Sequence, residues 1–92
     1  MKHSVYFDGK VQSLGVNTDE GYATVGVMEP GKYTFSTSQE EHMNVIVGSM
    51  KVKLPGSDTW QVFSAGQKFV VAPGKSFDLE LEKDAVYVCY YK

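Results

Sequence analysis

Phe77-Asp78-Leu79-Glu80-Leu81 decides the fold, because its apolar side chains alternate strictly with carboxylates. Successive side chains of a strand point to opposite faces, so Phe77, Leu79 and Leu81 turn inward and the acids outward. Tyr33-Thr34-Phe35-Ser36-Thr37 repeats the pattern, with Tyr33, Phe35 and Thr37 on one face and small hydroxyls on the other. Nowhere do apolar residues recur at helical spacing for long. Short runs rich in Val, Tyr, Phe and Thr are instead punctuated by Gly, Pro, Asp and Ser, the pattern of an all-β sandwich or barrel. Strands are expected near Val11–Leu14, Tyr22–Met28, Lys32–Thr37, Met43–Val47, Met50–Leu54, Trp60–Phe63, Lys68–Val71, Ser76–Leu81 and Ala85–Tyr91.

Turn chemistry supplies the connections. Glu29-Pro30-Gly31-Lys32 places Pro and Gly at the centre of an expected type II turn. Gly48-Ser49 is read as a tight hairpin, and Pro55-Gly56-Ser57-Asp58 and Pro73-Gly74 as further breakers. Asn17-Thr18-Asp19-Glu20-Gly21 reads as the most polar, exposed loop, His3 as part of a frayed terminus, and Trp60 as a core or interface residue. The last strand is apolar on both faces: Tyr87, Cys89 and Tyr91 on one, Val86, Val88 and Tyr90 on the other. A terminal strand covered on both sides suggests sheet-on-sheet packing or a subunit contact, and a homodimer is expected.

The totals narrow the function. Ninety-two residues make one domain, 1–92, with a modest core of its own. Cys89 is the only cysteine, so no disulfide staples the fold, and the usage fits a reducing compartment. No stretch is long and apolar enough for a membrane span or signal peptide, and a cytoplasmic location is expected. The net charge of −2 and the scattered lysines argue against a nucleic-acid surface. The chain has no arginine, so any bound anion must be held by lysine, backbone N–H groups or hydroxyls.

Two segments resemble the sequence motifs of the cupins. Gly31 to Gly48 resembles the first motif, with Glu41 and Gly48 at its closing spacing, and Gly66 to Phe77 resembles the second. Metal-binding cupins carry histidines where this chain has Phe35, Thr37 and Phe77, leaving Glu41 alone of the usual ligands. One carboxylate cannot hold Zn, Fe or Mn. His42 follows Glu41 directly and, in a strand, points the other way. No metal and no other cofactor is expected.

The fuller match runs along nearly the whole chain. Tyr6-Phe7-Asp8-Gly9-Lys10-Val11, Ser13-Leu14-Gly15, Ala23 to Met28, Gly31 to Thr37 and Trp60-Gln61-Val62 resemble segments of the pyrimidine/purine nucleoside phosphorylase family. These are short one-domain cupins, once grouped as a domain of unknown function. The resemblance implies a single RmlC-like jelly-roll β-barrel. It also implies a broad-specificity pentosyltransferase acting on nucleosides such as adenosine, guanosine, inosine, xanthosine, uridine, cytidine and thymidine. These and inorganic phosphate would be its small-molecule partners, and the products free base and (deoxy)ribose 1-phosphate.

Breaking the C1′–N bond passes through a transition state with oxocarbenium character, so positioning and electrostatics matter more than a protein nucleophile. Glu41 is the catalytic candidate, able to hold ribose hydroxyls or stabilise charge at the anomeric carbon; the alternative is a solvated residue in Gln39-Glu40-Glu41-His42. Tyr33, Phe35 and Phe77 can wall the pocket or be ordinary core, and for Phe77, beside Leu79 and Leu81, core is the simpler reading. Thr37, Tyr87 and Tyr91 complete the substrate-binding candidates, the tyrosines equally explained by packing or dimer contact. Lys53, Lys68 and Lys75, with N–H groups around Gly74, are candidates for phosphate. Cys89 has no sequence neighbour to activate it as a nucleophile. Two other readings remain: a metal-free cupin that binds a sugar or nucleoside without turnover, and a structural dimer with a filled barrel.

Overall fold

In a computed structural model, residues 1–92 form ten strands in two antiparallel sheets. The strands are β1 (His3–Tyr6), β2 (Val11–Thr18), β3 (Gly21–Met28), β4 (Gly31–Ser36), β5 (Glu41–Val47), β6 (Ser49–Lys53), β7 (Gln61–Ser64), β8 (Lys68–Val71), β9 (Ser76–Leu81) and β10 (Ala85–Tyr91). One sheet runs β1-β2-β3-β10-β5-β8 and the other β4-β9-β6-β7. From β3 to β10 the chain changes sheet at every connection except β6–β7. This interleaving makes a jelly-roll barrel, the all-β architecture expected from the alternation.

Alternation fills the space between the sheets. Phe77, Leu79 and Leu81 of β9 are buried as expected, beside Met50 and Val52 of β6 and Tyr33 of β4. The larger sheet answers with Val11, Met28, Met43, Val45, Phe69, Val71, Ala85, Tyr87 and Cys89. Each such side chain contributes about 1.5–3 kcal/mol of burial, and one cluster holds them all. The contents differ along the barrel axis. Cross-strand pairs Phe35–Phe77 and Tyr91–Glu41 stand at one end, whereas Leu79 and Val52 pair further along.

Several local expectations need correction. His3 is not frayed: β1 pairs with β2 from His3–Leu14 to Tyr6–Val11, and the His3 ring Nε2 lies 3.0 Å from Gln12 Oε1. The stretch Asn17–Gly21 is mostly strand, with Asn17 opposite Tyr22 and Thr18 opposite Gly21. Thr18 Oγ1 closes this hairpin by donating to Gly21 O at 2.7 Å. Gly31 has φ +158°, an extended value far from the roughly +80° of a type II turn, because Glu29-Pro30 carries the chain from one sheet to the other. Trp60 does not enter the core: it is 36% exposed, with Lys51 Nζ 5.4 Å from its ring centre.

Gly48 is likewise not a hairpin turn but a corner, since β5 and β6 lie in different sheets. Its φ is +85°, and an added Cβ would stand 2.8 Å from Asp84 O. The left-handed backbone alone disfavours alanine by about 1–2 kcal/mol, and the contact with rigid backbone adds to it. Gly48→Ala is therefore expected to lower the melting temperature by roughly 4–8 °C per kcal/mol lost, read by thermal unfolding. An unchanged melting temperature would show that the corner relaxes freely.

Candidate functional site

At the aromatic end of the barrel the sheets leave a cavity of about 190 Å³. Its wall carries Phe35 and Phe77 from the small sheet, and Glu41, Met43, Tyr87, Cys89 and Tyr91 from the large one, with Tyr6 at the rim. A broader depression of about 570 Å³ lies over Lys32, Lys51, Lys83, Glu80 and Glu82. That surface mixes charges of both signs, and Lys32 and Glu80 already face one another at 3.8 Å. The convergent polar groups in an apolar setting belong to the smaller cavity.

Glu41 opens β5 opposite Tyr91, and the pleat turns its carboxylate inward while His42 faces away. The His42 ring Nε2 lies instead 2.7 Å from Glu40 Oε1. The Cys89 thiol donates to Glu41 Oε1 at 3.7 Å. Burial raises the Glu41 pKa above the usual carboxylate range, and the thiol hydrogen bond only partly opposes it. Burial, then the Glu41 charge, pushes the Cys89 thiol up to about 12. It stays protonated, as expected of a cysteine that is not a nucleophile. Tyr87 is pushed up to about 12, chiefly by burial. Tyr91 is also raised, again chiefly by burial, and shares a 3.1 Å hydrogen bond with Thr24 Oγ1. The cavity is thus a set of neutral donors around one carboxyl.

Gly26 makes room for Tyr87. The two residues pair across β3 and β10, and a Cβ on Gly26 would collide with the tyrosine ring atoms. Only glycine lets that ring lie flat on the sheet.

The sequence candidates divide cleanly. Phe35, Glu41, Phe77, Tyr87 and Tyr91 are brought together, and Phe77 is both core and cavity wall. Tyr33 is not on the wall; it is buried in the core, its hydroxyl donating to Glu29 O at 2.6 Å. Thr37 is also elsewhere. Its hydroxyl donates to Ala72 O at 2.7 Å and accepts from the Lys75 N–H at 3.1 Å, tying the β8–β9 loop to the end of β4. The Gly74 N–H donates to Thr37 O at 2.9 Å, so the suspected anion nest is already engaged. Neither Lys53 nor Lys75 lines the cavity, nor does any other lysine. Tyr6, Ser13, Ser36 and Met28, which were not among the site candidates, do. Ser36 stands on the outward face of β4, opposite Phe35, and reaches the cavity only at its rim, and no local pattern marked Ser13. No group of three or more His, Cys, Asp or Glu side chains is arranged to hold a metal ion.

The buried carboxyl has a measurable signature. A Glu41 pKa raised in the folded chain contributes stability that is present at low pH and lost as pH rises through the folded value. Glu41→Gln removes the cost of ionising there. The variant should match wild type in acid and gain melting temperature over it as pH is raised past the usual carboxylate range. A gap that does not change with pH would mean that Glu41 is solvated.

Comparison with known proteins places the chain in a family. Residues 1–91 match the family model described as pyrimidine/purine nucleoside phosphorylase. A protein of that name from Pseudomonas putida (strain W619) is 50% identical over 91 residues, covering 99% of this chain and 97% of its own length. A Vibrio parahaemolyticus protein of unknown function superposes with a TM-score of 0.95 at 41% identity, over 99% of this chain and 97% of that one. An RmlC-like cupin from Shewanella frigidimarina superposes with a TM-score of 0.73 at 16% identity, over 97% and 91% of the two chains, which shows the shared fold. The barrel is a cupin, and the chain belongs to the pyrimidine/purine nucleoside phosphorylase family.

Proposed function

We propose that this single domain, residues 1–92, is a broad-specificity nucleoside phosphorylase, a pentosyltransferase of the cytoplasm that needs no metal. The observation that carries this reading is a half-buried Glu41 set among aromatic rings in a member of this family. Substrates are purine and pyrimidine nucleosides such as adenosine, guanosine, inosine, xanthosine, uridine, cytidine and thymidine.

Glu41 faces the ribose, where its carboxyl can hold the sugar hydroxyls and, when ionised, offset positive charge developing at C1′. Tyr87 and Tyr91 keep their protons at neutral pH and serve as hydrogen-bond donors to sugar or departing base. Phosphate enters at the rim beside Ser36, whose hydroxyl lies 2.9 Å from that of Ser76. The exposed Lys75, next in sequence to Ser76, is the cation that the β4–β9 register brings alongside. The role expected of Gly74 becomes indirect: it holds the loop that carries Lys75.

Inosine and uridine should release their bases only when inorganic phosphate is added, with EDTA making no difference. Glu41→Ala should lower kcat/KM by about 100-fold or more, the scale of losing one electrostatic group, and Lys75→Ala should raise KM for phosphate selectively. Base release without phosphate would make the protein a hydrolase, and full activity of Glu41→Ala would remove the carboxyl from the mechanism. The lack of any lysine on the cavity wall favours one alternative, a cupin that binds a nucleoside or sugar without turning it over. It predicts thermal stabilisation by inosine with no product after long incubation.

The working form is a homodimer joined through the outer face of the six-stranded sheet. Leu14, Val25 and Val88 make one cross-strand row there, and Val27, Val86 and Val47 the next. Leu14, Val25, Val27 and Val47 are exposed, and the central stretch of both rows is uncharged; Lys68 ends the first row on the far edge strand β8. An uncharged apolar face meets its own copy across a two-fold axis without like-charge repulsion. Light scattering should give twice the chain mass for wild type and the monomer mass for Val25→Lys; a monomeric wild type overturns this assembly.

A further inference from the structure

Phe7, Asp8 and Gly9 have φ of 52°, 58° and 90°, a left-handed run in which only the last residue is glycine. Such a conformation is unfavourable for residues with a Cβ and persists only where its surroundings over-determine it. Here the surroundings are specific. The Lys10 N–H donates to Phe7 O at 3.2 Å, and Gln12 Nε2 donates to Gly9 O at 3.0 Å. The Phe7 ring packs 4.9 Å from that of Tyr33 and 5.3 Å from that of Phe35. The Tyr6 ring meets Phe35 edge-on at 6.2 Å.

The turn achieves what a regular strand cannot. Consecutive strand residues point to opposite faces, yet Tyr6 and Phe7 both reach Phe35. Tyr6 thereby stands on the cavity wall while remaining 46% exposed. The cavity, at about 190 Å³, is smaller than the roughly 300 Å³ at which pockets for whole small molecules begin. A nucleoside with its ribose at Glu41 must therefore leave its base at the rim, against these rings.

We propose that the Phe7-Asp8-Gly9 turn builds the base-stacking subsite: the exposed Tyr6 ring stacks on the nucleobase, the Phe35 ring, edge-on to Tyr6, borders it, and Phe7 is a positioning residue that holds the Phe35 ring. The subsite rests on the nucleoside phosphorylase reading and adds to it a reason for breadth. Every base has a π face, so aromatic stacking accepts purines and pyrimidines alike, whereas hydrogen bonds to one base edge would reject most of them.

The test compares calorimetric Kd values and steady-state KM values for inosine and uridine in wild type, Tyr6→Ala, Tyr6→Phe, Phe7→Ala and Asp8→Gly. Tyr6→Ala should weaken both nucleosides by about 10-fold, the scale of one stacking contact, while Tyr6→Phe stays near wild type. Phe7→Ala should raise both nucleoside KM values and leave KM for phosphate unchanged. Asp8→Gly relieves the left-handed backbone, so it should unfold at higher temperature and still bind nucleoside more weakly. A merely structural turn would not separate those two changes. Unchanged Kd and KM in folded Tyr6→Ala, with phosphate-dependent turnover intact, overturns the subsite alone. A wild type that neither binds nor cleaves either nucleoside overturns the underlying reading as well.

Discussion

Leu79 and Val52, paired across β9 and β6 with the Tyr33 ring beside Leu79, close the barrel away from Glu41, and that closure fixes where a cavity can exist. Aliphatic groups of similar size interdigitate without gaps. Rings at the other end, Phe35, Phe77, Tyr87 and Tyr91, are too large and flat to do the same around a carboxyl. The cavity is therefore confined to the end where Phe35, Phe77 and Glu41 stand. The interleaved connectivity makes this difference hard to escape, because strands adjacent in sequence mostly lie in opposite sheets.

The electrostatics of the cavity follow from this packing. Glu41 enters a wall without lysine or arginine, so burial sets its proton affinity with no cation to offset it. The neighbouring thiol and phenols share that environment and stay neutral, offering hydrogen bonds without competing for charge. Such a site suits a neutral, flat and polyhydroxylated ligand.

How much of this could be read from the sequence depended on the range of the interaction. Phe77, Leu79 and Leu81 were legible because a period of two is a local property. Glu41 was legible through the spacing Glu41 to Gly48, and His42 faces outward because it follows Glu41 directly in a strand. Thr37 was not, because its hydroxyl is satisfied by Ala72 and Lys75, more than thirty positions away. The Gly48 corner resembled a hairpin because glycine serves both, and only the partners of β5 and β6 distinguish them. Tyr6 was hidden for a different reason: its direction is set by left-handed backbone that begins at Phe7, a residue type that carries no signal for that conformation, although Asp8-Gly9 marks a turn.

The placement of Trp60 has a practical side. The only tryptophan of the chain lies at the surface beside Lys51, just before β7 and away from the cavity wall. Its fluorescence therefore reports on the edge of the small sheet. An emission change in this protein speaks of that edge opening or being covered, whereas events around Glu41 are silent to it and call for the tyrosines as optical probes.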